Sequence, residues 1–283
     1  MIPAHNEGQV IGRLLDSLLD QASPGELDIV VVCNGCTDDT AQVAGLRGPS
    51  GVRVVESPVP SKHVALRLGD EHAHGFPRLY VDADVVLGTA DVRALTEALR
   101  ESAGVLAAAP ERDLPMTGCA WRVRAYYQVW QRLPSVREGL FGRGVIAVAE
   151  AGHERLAALP PLMADDLAAS LAFAPDERVV VRTARVLVHP PRTWADLIRR
   201  RIRAATSTTQ LEQQQQENSP AAPAPTARTS KKDLGDILRA EPRLFPAVLV
   251  FAAAAVIARR KSAKAVSSGD FGTWLRDESS RQA

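Results

Sequence analysis

The chain has 283 residues, of which 46% are hydrophobic and 24% are charged, as in an ordinary soluble protein. With 34 Lys and Arg against 33 Asp and Glu, its formal charge is +1, which disfavours a nucleic-acid binder held by phosphate neutralisation. The three cysteines, Cys33, Cys36 and Cys119, exclude a secreted disulfide scaffold and form no paired CxxC zinc pattern.

The first half of the chain alternates short apolar runs with helical patterns. A helix is expected after Asn6, a candidate N-cap residue. Further helices are predicted at 40–44, 62–72 and 91–102, and strands at 27–33, 52–55, 79–82 and 104–109. Apolar runs without strong alternation are typical of strands covered on both faces, so the order predicts an α/β fold with a doubly wound, mostly parallel sheet and flanking helices. Because only Met1 and Ile2 precede Pro3, either the first strand is a stub or the natural start lies upstream, and we expect the second.

The second half is mixed and then changes character. A strand is predicted at 179–188 and a strongly basic helix at 194–203. A Gln-, Pro-, Ala- and Thr-rich stretch at 213–233 predicts a flexible linker, and 234–283 a C-terminal extension with an apolar helix at 244–258. That helix is shorter than the about 20 residues needed to span a bilayer. It is either an interfacial helix with a basic flank or a core helix.

Four polar features could carry chemistry. Two are loops, Pro3 to Glu7 and Asn34 to Thr40, which also have the composition of ordinary helix caps. The third, Asp82-Ala83-Asp84, ends an apolar strand, where two carboxylates could converge on Mg²⁺ or Mn²⁺ bridging substrate phosphates. The fourth is the pair Asp165-Asp166, which suits either a helix dipole or a general base.

The ordered set of motifs P-A-H-N-E, N-G-C-T-D-D-T, S-K-H-V-A-L-R-L-G, D-A-D and A-D-D resembles the family-2 glycosyltransferases of GT-A fold. The resemblance implies a transferase domain over 1–212, with a nucleotide-sugar half (1–109) and an acceptor half (110–212). It implies inverting transfer of a sugar from a nucleoside-diphosphate donor, with UDP favoured, to an acceptor hydroxyl. It also implies a divalent cation, Mn²⁺ or Mg²⁺, and no nucleic-acid partner.

The resemblance assigns roles to individual positions. Asp82 and Asp84 match the metal motif, Asp166 the catalytic base and Asp165 its supporting partner. Substrate contacts are expected at Pro3, Ala4, His5, Glu7, Asn34, Lys62, Asp82, Gly144 and Arg203.

Asn34 departs from the family pattern, and Arg203 precedes a second departure, at Ala204. Asn34 stands where an Asp that contacts the base is common, which leaves the base open. Ala204 stands where processive members carry the tryptophan of Q-x-x-R-W, which argues against a processive synthase. The basic run that ends at Arg203 faces either the donor diphosphate or a solvated or membrane-facing surface.

Two alternatives remain at this point. Asp82-Ala83-Asp84-Val85 also resembles a haloacid-dehalogenase phosphatase motif, with Asp82 as nucleophile and Asp84 as acid. The other is a catalytically inactive homologue that binds nucleotide sugar. For the transferase, we expect bacterial cell-envelope or glycoconjugate synthesis in the cytoplasm, at the inner face of the plasma membrane if the acceptor is lipid-linked and the apolar helix touches lipid.

Overall fold

The computed structural model describes residues 1–159, 165–218, 229–267 and 279–281. Its contacts divide the chain into two compact units. The first comprises Met1–Pro115, Leu140–Pro161 and Ala172–His189. The second comprises Met116–Gly139, Leu162–Leu171 and Pro190–Ala283.

The first unit holds all the strands of the described chain, with five helices. The strands are β1 Ile2–Ala4, β2 Ile29–Asn34, β3 Val52–Ser57, β4 Arg78–Val81, β5 Val85–Leu87, β6 Ala107–Asp113, β7 Val145–Val148 and β8 Arg178–Val188. The helices are α1 Gly8–Leu19, α2 Thr40–Gly45, α3 Lys62–His72, α4 Thr89–Glu101 and α7 Glu150–Ala157. A short 3₁₀ turn, Gly48–Ser50, precedes β3.

The strands form two sheets that meet at β1 and β4. One sheet is parallel, in the order β1-β2-β3, and the other has the order β4-β7-β6-β8-β5. The amino group of Met1 donates to the Leu79 carbonyl (2.8 Å), and the Val81 amide donates to the Met1 carbonyl (3.0 Å). These bonds have the pattern of a parallel pair, so the carboxyl ends of β1, β2 and β4 lie at one edge.

Strand β2 shows why the apolar runs lack alternation. Val31 and Cys33 belong to a large core cluster with α1 and α4, whereas Val30 and Val32 pack against Ala65 of α3. All six residues of β2 are buried, because helices cover both of its faces. The predicted α/β class is therefore confirmed.

The second sheet differs from a purely parallel arrangement. β4 pairs with β7, β7 with β6, and β5 with β8 in the antiparallel sense, and only β6 and β8 are parallel. The short strands β5 and β7, which no sequence pattern indicated, supply these antiparallel partners.

The second unit is helical in its described part. Its helices are α5 Trp121–Trp130, α6 Pro134–Glu138, α8 Asp165–Leu171, α9 Trp194–Asn218, α10 Lys231–Ala240 and α11 Phe245–Ser267, with a 3₁₀ turn at Pro242–Leu244. Helix α9 continues into the first residues of the predicted linker, 213–218, because Gln and Glu have high helix propensities. The middle of that linker, 219–228, lies outside the described residues.

Helix α11 extends nine residues beyond the predicted apolar segment, through Arg259, Arg260 and Lys261. Among the described residues, Pro242–Ala263 is the one helical segment whose length and composition would allow it to cross a membrane. The ring of Phe251 stacks on Tyr126 of α5 at 5.0 Å, and the Ser262 and Thr206 hydroxyls, in α11 and α9, are hydrogen-bonded at 2.9 Å. One side of α11 is therefore packed inside the unit.

Candidate active site

Two predicted substrate loops, after β1 and β2, are bonded to each other. The Asn34 side-chain amide is buried and donates to the Ala4 carbonyl (3.0 Å), and the His5 ring Nδ1 lies 2.6 Å from the Asn34 carbonyl oxygen. The Glu7 amide donates to the Thr40 hydroxyl (2.8 Å). Pro3, Ala4, His5, Glu7 and Asn34 are thereby brought together at the carboxyl edge of the parallel strands.

The predicted N-cap role of Asn6 is wrong. Glu7 occupies the cap position of α1, without a side-chain cap bond. Asn6 lies one residue earlier with a φ of 53°, and its side-chain oxygen accepts the Thr37 amide at 2.7 Å. The carboxamide therefore fastens the first loop to the second instead of capping the helix.

The two acidic residues Asp82 and Asp84 lie in the tight turn between β4 and β5. The Lys62 ammonium, in the first turn of α3, donates to Asp82 Oδ1 at 2.9 Å. Both side chains are partly open to solvent, 31% for Lys62 and 39% for Asp82. The structure therefore pairs Lys62 with the first acid of the motif in a partly solvent-exposed ion pair.

Gly144 contacts the same turn through its backbone. Its carbonyl accepts the Asp82 amide at 2.7 Å, and its φ is +68°. A Cβ at this position would lie 2.5 Å from Val85 Cγ1 and 3.3 Å from Asp82 Oδ2. Any side chain here would therefore displace the turn that carries both acids.

Replacement of Gly144 by Ala is expected to lower the free energy of unfolding by about 2–4 kcal/mol, because strain at positive φ adds to overpacking. Gly75→Ala is the matched control, since Gly75 has a φ of +78° in the same unit with no atom within 4 Å of its would-be Cβ. It should cost about 1 kcal/mol. Equal losses of the two variants in urea unfolding would contradict the steric account.

The neighbouring Arg143 is fully buried. Its guanidinium donates to the Pro110 carbonyl (2.9 Å) and to Glu111 Oε1 (3.2 Å), and Arg112 donates to the Gly142 carbonyl (3.4 Å). Burial lowers the pKa of Arg143, and the Glu111 carboxylate opposes that shift. Arg143 therefore anchors the loop in which the next residue, Gly144, accepts the Asp82 amide.

For this ion pair we expect Glu111→Ala to destabilise the chain more than Arg143→Met. Loss of the carboxylate removes a countercharge from a fully buried guanidinium and should cost about 3 kcal/mol. Loss of the guanidinium should cost less, because water reaches the Glu111 carboxylate, whose side chain is 37% exposed. Urea unfolding of both variants measures the order, and the reverse order would contradict this account.

The pair also predicts a pH dependence. Burial raises the pKa of Glu111, but the charges and hydrogen bonds of Arg143 and Arg112 outweigh it, so the pKa lies below its usual 4.5. A lowered folded-state pKa contributes stability above the unfolded-state value, and that stability is lost as the pH falls through the folded-state pKa. The stability gap between the natural chain and Glu111→Gln should therefore shrink below pH 4.5 in urea titrations.

Asp84 has its own cationic neighbour in Arg13 of α1. Burial lowers the pKa of Arg13, and the negative charge of Asp84 opposes that shift. The sequence pattern of α1 indicated only its apolar side, so Arg13 is not among the predicted site residues. The signal was available, because Arg13 lies within two turns of the helix that begins at the first substrate loop.

The donor set of the turn fits a hard divalent cation. Two carboxylates on one tight turn are oxygen ligands of the kind Mg²⁺ uses together with substrate phosphates. In the part of the chain that the structure describes, no cluster of three or more His, Cys, Asp and Glu side chains could hold a metal alone. The two carboxylates are a partial ligand set of the kind that Mg²⁺ completes with substrate phosphate oxygens and water.

The Cys33-Asn34-Gly35-Cys36 sequence does not have the features of a reactive thiol pair. Burial and the neighbouring Cys36 raise the pKa of the Cys33 thiol to about 12, so it stays protonated at neutral pH. The Cys36 thiol donates to the Ala4 carbonyl at 3.4 Å. The two cysteines therefore act as small residues that pack the end of β2 and the turn after it.

The other predicted site residues belong to the second unit. Asp166 is half-buried in the first turn of α8, and its Oδ1 accepts the Leu167 amide at 2.8 Å. Asp165 begins that helix, and its side chain lies outside the described residues. Arg203 is half-buried in α9.

The sequence profile described as glycosyl transferase family 2 matches residues 1–153, just over half of the chain. The chain belongs to glycosyl transferase family 2. It is an enzyme of the glycosyltransferase class, and the matched region includes the two substrate loops, Lys62, the acidic turn and Gly144.

A curated relative of this family-2 chain is 4,4'-diaponeurosporenoate glycosyltransferase from Staphylococcus aureus (strain USA300). It is 40% identical over 88 residues, which is 30% of this chain. The aligned segment spans 23% of that relative's length.

Two solved structures share the fold of this chain. Mannosyltransferase PcManGT from Pyrobaculum calidifontis, in complex with GDP-Man and Mn²⁺, has a TM-score of 0.59 at 22% identity, covering 95% of this chain and 77% of its own. Glucosyl-3-phosphoglycerate synthase from Mycobacterium tuberculosis, in complex with UDP, has a TM-score of 0.53 at 22% identity, covering 74% and 77%.

The family match excludes the phosphatase alternative. In that reading Asp82 would follow the first strand, but it follows the fourth, and the P-A-H-N-E loop would have no role. In the glycosyltransferase, the same loop is bonded to the second substrate loop at one sheet edge.

Proposed function

We propose that the enzyme is an inverting glycosyltransferase that moves a sugar from a nucleoside-diphosphate sugar to an acceptor hydroxyl in one displacement. The observation that carries the proposal is the turn of Asp82 and Asp84, which Lys62 and the Gly144 carbonyl hold beside the carboxyl edge of β1, β2 and β4. Ligands of open α/β sheets bind at this edge.

In this proposal, Asp82 and Asp84 hold a divalent cation together with the donor diphosphate. When bound, the cation stabilises the negative charge that builds on the departing diphosphate. Lys62 is placed to exchange its bond with Asp82 for a phosphate oxygen, because its ammonium is 31% exposed. Support for a cation of this class comes from the Mn²⁺ complex of the Pyrobaculum mannosyltransferase.

The nucleotide would be held by the first two loops. His5 and Asn34 rigidify each other through the 2.6 Å contact, so their loops can present a fixed surface to a base or ribose. UDP remains the favoured donor nucleotide, although the two structural relatives are complexes with GDP-Man and with UDP. Because Asn34 uses its amide on Ala4, we expect the neighbouring backbone to read the base.

In this proposal, the acceptor half of the transferase domain is 110–212. Asp166 would remove the acceptor proton as general base, supported by Asp165, and Arg203 would bind the diphosphate of the donor. We propose a lipid-linked hydroxyl acceptor in bacterial cell-envelope or glycoconjugate synthesis, with the enzyme at the inner face of the plasma membrane. The apolar α11 supports that location.

A thermal-shift panel tests the proposed donor chemistry. UDP-, GDP- and dTDP-sugars are each measured with Mn²⁺, Mg²⁺ or EDTA. A ligand at a hundred times its dissociation constant stabilises the native state by about 2.7 kcal/mol. We expect a metal-dependent shift for one nucleotide. No shift with any of them would overturn the proposed donor class and favour a homologue without nucleotide-sugar activity.

A further inference from the structure

Helix α11 is apolar on two opposite faces. One face is buried within the second unit by Ala247, Phe251, Ala254 and Ala258. The opposite face, here called the α11 outer face, consists of Phe245, Leu249, Ala253 and Val256. Its three large side chains are 55%, 55% and 49% exposed, respectively.

The α11 outer face is one continuous stripe. At 100° per residue, Phe245, Leu249 and Val256 point within about 40° of one another, and they cover about 16 Å of helix. A helix that is apolar all round is normally buried in a core or in a membrane. Here half of it is buried and the other half is exposed, so the exposed half is suited to a partner.

The charged residues at both ends of the α11 outer face indicate which kind of partner this face would bind. Residues 239–263 contain five cations and one anion. Arg259, Arg260 and Lys261 are exposed in the turn after Val256, and Arg243, two residues before Phe245, has a side chain that is 82% exposed. Cations that flank an apolar stripe match the phosphates and the acyl boundary of an anionic lipid surface, whereas a second copy of this chain would bring like charges together.

The packing of α11 favours a helix that lies along the membrane. Its buried side is attached to α9, which carries Arg199, Arg200, Arg201 and Arg203, and its Ser262 is bonded to Thr206 of that helix. Drawing this assembly through the hydrocarbon would bury arginines at high cost. We propose that the α11 outer face lies flat in the interface of an anionic bilayer and anchors the full chain there.

This inference rests on the proposed membrane location of the enzyme, and it does not depend on the donor or on the proposed base. It can be tested by co-sedimentation of the full chain with vesicles of phosphatidylcholine containing 30% phosphatidylglycerol, and with phosphatidylcholine alone. The double variant Leu249→Glu/Val256→Glu tests the apolar stripe, and Arg259→Gln/Arg260→Gln tests the cations. Leu46→Glu is the matched control, because Leu46 is an exposed leucine (77%) in the first unit.

We expect the full chain to prefer the anionic vesicles, and each double variant to lower the partition coefficient about tenfold or more. Leu46→Glu adds one negative charge, where each double variant changes the charge by two, at a leucine outside the stripe, so it should stay within about twofold of the natural chain. Absence of binding to anionic vesicles, or equal loss with Leu46→Glu, would overturn the inference. A dimer in sedimentation that Leu249→Glu dissociates, without vesicle binding, would instead assign the face to a second copy.

Depth distinguishes a flat helix from a spanning one. Tryptophans introduced separately as Phe245→Trp and Val256→Trp are compared, against the natural chain, for quenching by lipids brominated at shallow and deep positions. If α11 lies flat, the tryptophans at positions 245 and 256 should both lie at the same shallow depth. A depth difference approaching the about 16 Å between the two positions would contradict it and indicate insertion across the bilayer.

Discussion

Asp166→Asn is expected to lower the turnover number of the enzyme by about 10²–10⁴-fold, the usual contribution of general base catalysis. An amide cannot take the acceptor proton, but it keeps the size of the carboxylate and can still accept the Leu167 amide bond of 2.8 Å. Donor binding should therefore stay within about twofold. The rate of nucleoside-diphosphate release, measured with a bacterial lipid extract as the source of acceptor, gives the result.

The control for this variant is Asp176→Asn, which removes an exposed carboxylate outside the proposed site. It should leave turnover unchanged. If Asp166→Asn lost less than about fivefold, or lost donor affinity in the same proportion as turnover, Asp166 would not be the base.

The second large effect, a loss of kcat/KM, is expected for Asp84→Asn and for Asp82→Asn. Each removes one of the two carboxylates of the turn, and we expect kcat/KM to fall by about 10²–10³-fold, as when one preorganised electrostatic group is removed from a transition state. The stimulation of the rate by added Mn²⁺ should also weaken sharply. Initial rates over a Mn²⁺ titration measure both effects.

Asp20→Asn is the matched control for these variants, because Asp20 is an exposed carboxylate at the end of α1. It should keep the rate and its response to Mn²⁺. Full activity of Asp84→Asn in EDTA would contradict a metal role for the turn. A loss of rate with an unchanged response to Mn²⁺ would reduce that role to positioning of Lys62.

Much of the fold could be predicted because local patterns and packing agree. Helix α3 occupies 62–72 as predicted, since Ser61 supplies an N-cap that accepts the Val64 amide and Ala65 packs on β2. The apolar run of β2 does not alternate with polar residues and therefore predicted a strand covered on both faces, and all six of its residues are buried. In contrast, β5 and β7 have three and four residues, too few for any periodicity. Their pairing depends on long-range contacts that the sequence does not display.

The candidate site was predictable where a motif maps onto one loop, and less so where it depends on packing. The two substrate loops and the acidic turn could be located because polar residues follow apolar strands. The anchoring role of Arg143 could not, because an arginine at 0% exposure is unusual and depends on partners such as Glu111 and Pro110, more than thirty residues away. The role of Gly144 likewise depends on its bond to Asp82.

The central claim is that Asp82 and Asp84 couple a divalent cation to a nucleoside diphosphate, and calorimetric titration tests it most directly. UDP, GDP and dTDP are titrated in turn into the natural chain and into Asp84→Asn, with Mn²⁺ or with EDTA. The account predicts that Mn²⁺ raises the affinity of one nucleotide by about tenfold or more in the natural chain, and by less than about twofold in Asp84→Asn. Equal affinity with Mn²⁺ and EDTA in the natural chain would contradict it.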